Sequence, residues 1–256
     1  MGLTKAAVKI LTGGAKLESF DRFMFIGPHP DDIEIGAGAT AAKLVKEGKK
    51  VCFLICTDGR FGDTYTNGIR GEELAKIRKE EAKKSAGTLG VGDVRFLGFS
   101  DGALYDFNDL KKAMAAEIGS FKPDVIFAPD PEVASECHQD HLNVGRAARE
   151  MAIYASNAGI MEAYHAERAG VKALAFYITA KPNRFVDTTG MVPLQMRSIF
   201  DCHKSQYPDD CPDISITKLY LRLRAHEYGL RSLHGTAEGF RVLSGQQMHF
   251  LPEAED

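Results

Sequence analysis

The stretch that decides the fold runs from Phe23 to Ala41 and reads FMFIGPHPDDIEIGAGATA. It begins with a continuous apolar run of strand length, passes through a loop of Gly, Pro, His and Asp, and continues into helix-forming residues. A continuous apolar run, as opposed to an alternating one, is typical of a strand that is buried on both faces of a parallel sheet. The segment therefore predicts a strand, a loop and a helix of an α/β sheet.

The same order of elements recurs along the chain. The predicted strands are continuous apolar runs: Phe23–Ile26, Val51–Ile55, Val94–Leu97, Val125–Ala128 and Leu174–Ile178. The predicted helices have apolar residues three and four positions apart: Glu34–Glu47, Arg70–Leu89, Leu110–Phe121, His141–Ala158, Val192–Phe200 and Lys218–Leu230. This alternation predicts an α/β fold with a doubly wound (Rossmann-like), mostly parallel sheet and helices on both faces. We expect one domain over residues 1–256, with a core at about 21–178 and an elaborated C-terminal part at 179–256.

The composition indicates a globular protein whose partner is a small molecule or another protein. The chain has 256 residues, of which 44% are hydrophobic and 26% charged, and its net charge of -3 gives no field that would attract nucleic acid or an anionic membrane. No apolar run approaches the ~20 residues that a membrane span needs. The 5 cysteines include no C-x-x-C pair and fit reduced thiols, so we expect a cytoplasmic protein in which Cys52 and Cys56 belong to the core.

Two clusters of polar residues follow two of the predicted strands. His29 to Asp32 comes after the first strand, and His138 to His141 comes after the fourth. Ligands of a doubly wound sheet bind beyond the carboxyl ends of its strands. Either cluster alone is also explained by turn formation and helix capping. Together they match the mixed nitrogen and oxygen ligand set of a catalytic zinc site with three protein ligands.

These two motifs resemble those of the zinc-dependent LmbE-like (PIG-L) N-deacetylases, which act on N-acetylglucosamine-containing substrates. Further segments carry the resemblance across most of the chain: Arg78–Glu81, Phe99–Gly102 and Ala237–Arg241. The run Gly27–Gly36 is most similar to the diacetylchitobiose deacetylase branch. The resemblance implies an LmbE-like fold and a hydrolase that uses one Zn²⁺ per chain to release an N-acetyl group.

By that resemblance the metal ligands are His29, Asp32 and His141. Two neutral imidazoles and one carboxylate leave a zinc site with a net charge of +1, which lowers the pKa of bound water towards ~7. The family pattern makes Asp31 the general base that takes a proton from this water. Asp32 is also expected to cap the helix that begins near Ile33.

The resemblance assigns further roles around the metal. His138, as an imidazolium, stabilises the oxyanion or protonates the leaving amine, and Asp140 hydrogen-bonds it and raises its pKa. Alternatively, His138 only bonds the loop backbone. Arg78 contacts a substrate hydroxyl or orients a carboxylate, although its helix, rich in Lys and Glu, is also typical of a solvated surface. Asp101 binds the sugar or orients Arg78.

The tail Gly245–Phe250 leaves two readings open. Met248 and Phe250 fold back on their own domain, or they pack on a neighbouring subunit whose substrate pocket His249 helps to close. The second reading draws on the resemblance, because the branch forms homo-oligomers, typically trimers and hexamers. His249 is therefore a candidate substrate-binding residue.

The physiological substrate and the reaction class both have alternatives. Diacetylchitobiose or N-acetylglucosamine is favoured, and a malate- or inositol-linked precursor of a thiol cofactor would use the same centre. Gly36–Ala41 matches the dinucleotide-binding motif G-x-G-x-x-A, and Asp58 stands where the acidic residue that binds the ribose would be. In a nicotinamide site, however, the first glycine directly follows the strand, whereas here Gly27 to Ile35 intervene. The spacing therefore argues against a nicotinamide site. A thiol hydrolase using Cys137 is disfavoured because the side chain of His138, its neighbour, points away in an extended segment. A non-catalytic binding module would not need Asp31.

Overall fold

The computed structural model describes residues 15–249, which build one sheet of seven strands in the order β3-β2-β1-β4-β5-β7-β6. The strands are β1 (Arg22–Gly27), β2 (Lys50–Thr57), β3 (Asp93–Phe99), β4 (Val125–Pro129), β5 (Ala173–Tyr177), β6 (Arg184–Asp187) and β7 (Ala237–Ser244). The first five strands are parallel, and β7 runs antiparallel to both of its neighbours. The predicted mostly parallel α/β sheet is confirmed.

Helices cover both faces of the sheet. They are α1 (Asp32–Lys46), α2 (Glu72–Thr88), α3 (Phe107–Phe121), α4 (Gln139–Tyr154), α5 (Ala158–Ala163), α6 (Val192–Phe200) and α7 (Ile214–Ser232). Side chains of β1 alternate between the two faces: Phe23 and Phe25 join the core under α1 and α2, whereas Met24 and Ile26 join the core under α3 and α4. Cys52 and Cys56 are buried in the core, as predicted. No helix within residues 15–249 is long and apolar enough to cross a membrane.

Two parts of the secondary structure differ from the prediction. The predicted helix His141–Ala158 ends at Tyr154, and α5 begins separately after Asn157, whose side chain accepts a hydrogen bond from the amide of Ile160. The strands β6 and β7 were not predicted from the sequence. These strands lack a continuous apolar run, because β6 is partly exposed and β7 contains Glu238 and Arg241.

The strand order places a crevice where the polar loops meet. β1 lies between β2 and β4, so the chain leaves β1 towards one side of the sheet and returns to β4 on the other. The loops that follow β1 and β4 therefore diverge at the carboxyl ends of two adjacent strands, the usual ligand position in such sheets. His29 follows β1 and His138 follows β4, so both polar clusters border this crevice.

The small residues of α1 serve packing. A Cβ atom on Gly36 would overlap the ring of Tyr177 in β5, and one on Gly38 would lie 3.2 Å from Cγ of Gln195. Both glycines lie inside the helix and not in a turn between strand and helix. The Asp58 carboxylate pairs with the guanidinium of Arg60. The G-x-G-x-x-A pattern thus marks close packing on the sheet.

Candidate active site

Three predicted ligands meet in the crevice. One potential ligand atom from each of His29, Asp32 and His141 lies within 4.8 Å of the others. Oδ2 of Asp32 is 3.0 Å from Nδ1 of His29 and 3.4 Å from Nε2 of His141. Asp32 is the first residue of α1 and His141 lies in the first turn of α4. The site therefore joins the ends of two helices that pack on opposite faces of the sheet.

The imidazoles of His29 and His141 are each oriented by a further carboxylate, a different one for each ring. Oδ2 of Asp140 lies 3.1 Å from Nε2 of His29, and Oε2 of Glu136 lies 2.9 Å from Nδ1 of His141. Such contacts fix the ring and the tautomer of metal-binding histidines, so that the other nitrogen faces the metal. They leave Nδ1 of His29 and Nε2 of His141 directed at Asp32. This pairing makes the donor set suitable for a metal ion.

The charge of the site favours a cation. Burial alone would lower the pKa of His29, but its hydrogen bonds to Asp140 and Asp32 raise it to about 10. Burial likewise opposes the charged form of His141, and the carboxylate of Asp32 raises its pKa to about 9. The negative potential that holds these protons would equally attract a metal ion, which competes with protons for the same nitrogens.

A second set of possible ligands, His29, His138 and Asp140, fits a metal less well. Both oxygens of Asp140 already accept hydrogen bonds from backbone amides, Oδ2 from Gly102 at 2.7 Å and Oδ1 from Ala103 at 2.9 Å. By contrast, no donor within residues 15–249 bonds Oδ1 of Asp32. The set that contains Asp32 therefore has the freer carboxylate.

Asp31 and Arg78 form a buried ion pair beside these ligands. Nη2 of Arg78 lies 3.3 Å from Oδ2 of Asp31, and the two side chains are 4% and 10% exposed. The guanidinium also donates to the carbonyl oxygens of Pro30 at 2.9 Å and Gly59 at 3.2 Å. Burial raises the pKa of Asp31 to about 6, although Arg78 acts in the opposite direction. Arg78 is thus an internal residue that orients a carboxylate, and not a solvated one.

Neither Asp31 nor Asp32 caps α1 with its side chain, although Asp32 was expected to do so. Asp31 occupies the position before the helix with φ 134°, a strained conformation for a residue with a side chain. The prediction that the Asp32 side chain caps this helix is wrong. Its Oδ2 atom instead accepts a hydrogen bond from the amide of His29 at 2.8 Å. The two adjacent carboxylates thus take different partners, Arg78 for Asp31 and the amide of His29 for Asp32.

His138 departs from its expected pairing. Its Nδ1 atom lies 3.7 Å from Oδ2 of Asp140, beyond hydrogen-bond distance, and accepts instead from the backbone amide of Asp140 at 3.3 Å. Burial lowers the pKa of His138, and the positive charges of His29 and His141 add to this effect, so the expected upward shift is wrong. Asp140 is committed to the His29 ring and two backbone amides. The His138 ring still lies next to the ligands, 4.6 Å from His29 and 5.0 Å from His141 between ring centres.

Asp101 is buried under the loop that follows β2. Its carboxylate accepts hydrogen bonds from the amide of Phe61 at 3.1 and 3.2 Å. Among the described residues, Asp101 makes no hydrogen bond or ion pair with Arg78. Its contact to Phe61 therefore fixes the loop, and its role in sugar binding stays a prediction.

The tail does not reach the site of its own chain. Ser244, the last residue of β7, pairs with Ala173, the first residue of β5, so the following segment lies at the amino ends of the parallel strands. The candidate metal ligands lie at the opposite edge. Met248 packs against the core of its own domain, as the first reading expected, whereas Phe250 lies outside the described residues. His249 is exposed at this distant edge.

The structure also brings in residues that the sequence analysis left without a role. Glu136 precedes His141 by five positions, and only the turn between β4 and α4 brings its carboxylate to the imidazole. Nε2 of His203 lies 3.3 Å from Oε1 of Glu34, and both residues are almost completely buried. Glu34 stands two positions after Asp32 in the quoted motif, but nothing in the sequence pointed to His203.

Residues 24–152 match the PIG-L family, described as GlcNAc-PI de-N-acetylase. A diacetylchitobiose deacetylase from Thermococcus kodakarensis is 35% identical over 236 residues, which cover 91% of this chain and 87% of that protein. The chain belongs to the PIG-L family. The expectation drawn from the His29 and His138 motifs is thereby confirmed.

The PIG-L fold extends over nearly the whole chain. The crystal structure of an N,N'-diacetylchitobiose deacetylase from Pyrococcus horikoshii, in complex with an inhibitor, superposes with a TM-score of 0.86 at 32% identity, covering 97% of this chain and 94% of that one. A 1D-myo-inositol 2-acetamido-2-deoxy-alpha-D-glucopyranoside deacetylase from Thermomonospora curvata is 30% identical over 188 residues, or 63% of this chain and 60% of that protein. Both substrate classes considered from the sequence thus occur among the PIG-L relatives.

Proposed function

We propose that the protein is a zinc-dependent hydrolase that removes the N-acetyl group from an N-acetylglucosamine-containing substrate, with diacetylchitobiose or N-acetylglucosamine favoured. The observation that carries this proposal is the convergence of His29, Asp32 and His141, with the buried carboxylate of Asp31 beside them. The two similar diacetylchitobiose deacetylases support the substrate class. The reaction converts an amide and water into an amine and acetate.

The donor set suits zinc. Two imidazoles and one carboxylate are the usual protein ligands of catalytic zinc, and each imidazole has its own orienting carboxylate, Asp140 or Glu136. When bound, zinc polarises the acetyl carbonyl and lowers the pKa of water. His29, Asp32 and His141 would hold one ion per chain.

The residues around the metal ligands have separate roles in the reaction. Asp31 accepts a proton from the attacking water and returns it to the amine as the C–N bond breaks, while Arg78 fixes the direction of its carboxylate. His138 approaches from α4, whereas Arg78 approaches from α2, so the two flank the ligands from opposite faces of the sheet. His138 interacts with the oxygen of the tetrahedral intermediate or with the leaving amine. Asp140 acts through the His29 ring that it orients.

Acetate release by zinc-loaded protein tests the proposal. The panel contains diacetylchitobiose, N-acetylglucosamine, phosphorylated N-acetylglucosamine, and the malate- and inositol-linked conjugates. Preference for diacetylchitobiose or N-acetylglucosamine supports the favoured substrates. Preference for a malate- or inositol-linked conjugate supports the thiol-precursor alternative. The inositol-linked form of this alternative is the substrate class in the name of the Thermomonospora relative. Asp31→Asn serves as the inactive control. A protein that holds zinc but releases acetate from none of these compounds contradicts the proposed function.

Assembly and location also belong to the proposal. By its resemblance to the diacetylchitobiose deacetylase branch, the protein forms a homo-oligomer, a trimer or a hexamer. The cytoplasmic location expected from the cysteine content stays a prediction. Its substrates are small N-acetylated amino sugars, a proposal supported by the names of the Thermococcus and Thermomonospora deacetylases.

A further inference from the structure

The helix α1 is interrupted at Ala37, whose φ of -152° and ψ of 15° are not helical. The break separates a first turn, residues 32–36, from the longer part of the helix. This first turn begins with Asp32, and the amide of Ile35 closes it onto the carbonyl oxygen of Asp31 at 3.1 Å. The direction of the first turn therefore sets where both carboxylates stand in the crevice.

The carboxylate of Glu238 caps the second segment of α1, residues 38–46. It reaches the helix from β7 and accepts hydrogen bonds from the amides of Ala39 at 3.2 Å and Thr40 at 2.7 Å. The second and third amides of a helix are those that a capping side chain binds, and the methyl group of Ala37 cannot accept them. A carboxylate at this point also interacts favourably with the helix dipole. Glu238 thus stabilises the break from a remote strand.

Gln195 of α6 connects the two parts of α1. Its Nε2 atom donates to the carbonyl oxygen of Glu34 in the first turn at 2.8 Å and to Oε1 of Glu238 at 2.9 Å. In an unbroken helix, the amide of Gly38 would donate to the Glu34 carbonyl. A Cβ atom on Gly38 would lie 3.2 Å from Cγ of Gln195, so the glycine leaves room for this side chain. One side-chain amide therefore serves both sides of the break.

Burial makes these hydrogen bonds important for the first turn. Gln195 is 4% exposed and Glu238 is 8% exposed, so water does not readily replace a lost partner. A buried polar group without a partner is costly, and the first turn would have to shift to restore the bonds. Such a shift would move Asp32, which is two positions from Glu34 and whose Oδ2 atom faces both imidazoles.

We propose that Gln195 and Glu238 are positioning residues that fix the first turn of α1. They thereby hold Asp32 against the two candidate metal-binding imidazoles and Asp31 against Arg78. The inference rests on the proposed function, because it takes Asp32 as a zinc ligand and Asp31 as the base. Residues that orient metal ligands commonly contribute about 10- to 100-fold to metal affinity or activity.

The zinc affinity of Gln195→Met, measured by competition with a chelator in the absence of substrate, tests this role. Methionine keeps the length of the side chain and removes the donor. We expect the dissociation constant for zinc to rise about tenfold, and kcat at saturating zinc to fall about tenfold while KM stays within about twofold. Glu238→Gln keeps one acceptor oxygen, so its zinc affinity should fall less, by about threefold.

The matched control is Asn183→Ala. The side chain of Asn183 exchanges two hydrogen bonds with the backbone of Val242 in β7, at 2.8 and 3.0 Å. The control therefore weakens the strand that carries Glu238 and leaves the bonds to α1 in place. We expect it to lose stability in urea unfolding and to keep its zinc affinity and kcat within about twofold.

Several outcomes would overturn the inference. One is unchanged zinc affinity in both Gln195→Met and Glu238→Gln, and another is an equal loss in Asn183→Ala, because destabilisation alone would then explain the effect. Failure of both variants to fold would mean that the two residues serve the whole fold and not one turn. If the wild type binds zinc but cleaves no sugar, the proposed function fails and the zinc affinities still decide the positioning role. If the wild type binds no zinc, both proposals fail.

Discussion

Asp31 and Arg78 form a buried ion pair, with 3.3 Å between Oδ2 of Asp31 and Nη2 of Arg78, although 47 positions separate the two residues in sequence. The guanidinium reaches Asp31 past two glycines: a Cβ atom on Gly59 or Gly62 would lie 2.5 Å from Nη1 of Arg78. The absence of side chains at these positions allows Arg78 of α2 to reach the carboxylate of Asp31. Asp31, the proposed general base, is therefore positioned by packing far from it in the chain.

We expect Gly62→Ala to lower kcat, because its new methyl group displaces the guanidinium and releases Asp31. The expected fall is about tenfold, less than the ~10²-fold or more that a general base contributes, because the carboxylate is misdirected but still present. Gly87→Ala is the control, because a Cβ there has nothing within 4 Å and helical alanine is favoured. Kinetics and bound zinc are measured for both. Equal kcat in the two variants would show that Arg78 does not control Asp31.

Zinc content tests the ligand assignment. His141→Ala should lose the metal under mild chelation, because only two of the three ligands remain. His226→Ala is the control, since His226 is an exposed residue of α7 whose ring contacts a backbone carbonyl. Metal per chain is measured by atomic absorption after dialysis. Full retention by His141→Ala would show that the assignment is wrong.

The two adjacent carboxylates should respond differently to substitution. Asp31→Asn should keep its zinc and lose ~10²-fold or more in kcat, the usual scale for a general base. Asp32→Ala should lose the zinc itself. Metal content and acetate release are measured on both variants. Loss of metal from both to the same extent would remove the distinction between base and ligand.

Glu238 should make stability depend on pH. Burial raises its pKa from 4.5 to about 7, although hydrogen bonds from Thr40 and Ala39 oppose the shift. The folded protein therefore binds this proton more tightly than the unfolded chain, and the resulting stability, present below pH 4.5, is lost as the pH rises towards 7. The shift corresponds to about 3 kcal/mol.

A non-titrating variant isolates this contribution. The free energy of unfolding of the wild type minus that of Glu238→Gln should fall between pH 4.5 and pH 8, because the other groups cancel in the difference. Urea unfolding at several pH values measures it. A difference that stays constant or rises would mean that Glu238 is ionised in the folded protein at acid pH.

His249 should act in another copy of the chain if it acts at all, because its own site lies at the opposite edge of the sheet. We expect His249→Ala to lower kcat/KM without loss of zinc. Mixed oligomers of His249→Ala and Asp31→Asn should then recover activity, since some sites would combine an intact Asp31 with an intact His249. A monomeric protein, or mixtures that stay inactive, would contradict this prediction. Truncation after Leu243, with mass and kcat/KM measured, gives an independent check.

The sequence by itself determined the parallel core and the two His/Asp motifs of the candidate metal site. Continuous apolar runs such as Phe23–Ile26 predict buried strands because both of their faces must leave water. The carboxyl ends of parallel strands share one edge of the sheet, which predicts that His29 and His141 lie close together. Val192–Phe200 was predicted with its observed limits because its helical period is unbroken.

Only the tertiary structure decided which partner each polar side chain takes. Asp140 was expected to bond its neighbour His138, yet the fold presents it with His29 and two backbone amides. The strand β7 was hidden because Glu238 breaks its apolar run, and its carboxylate is satisfied by amides of α1. The periodicity of apolar residues in the sequence indicates which side chains are buried on folding. Hydrogen-bond partners depend on distances between segments remote in the chain, and these exist only once the sheet and its helices have packed.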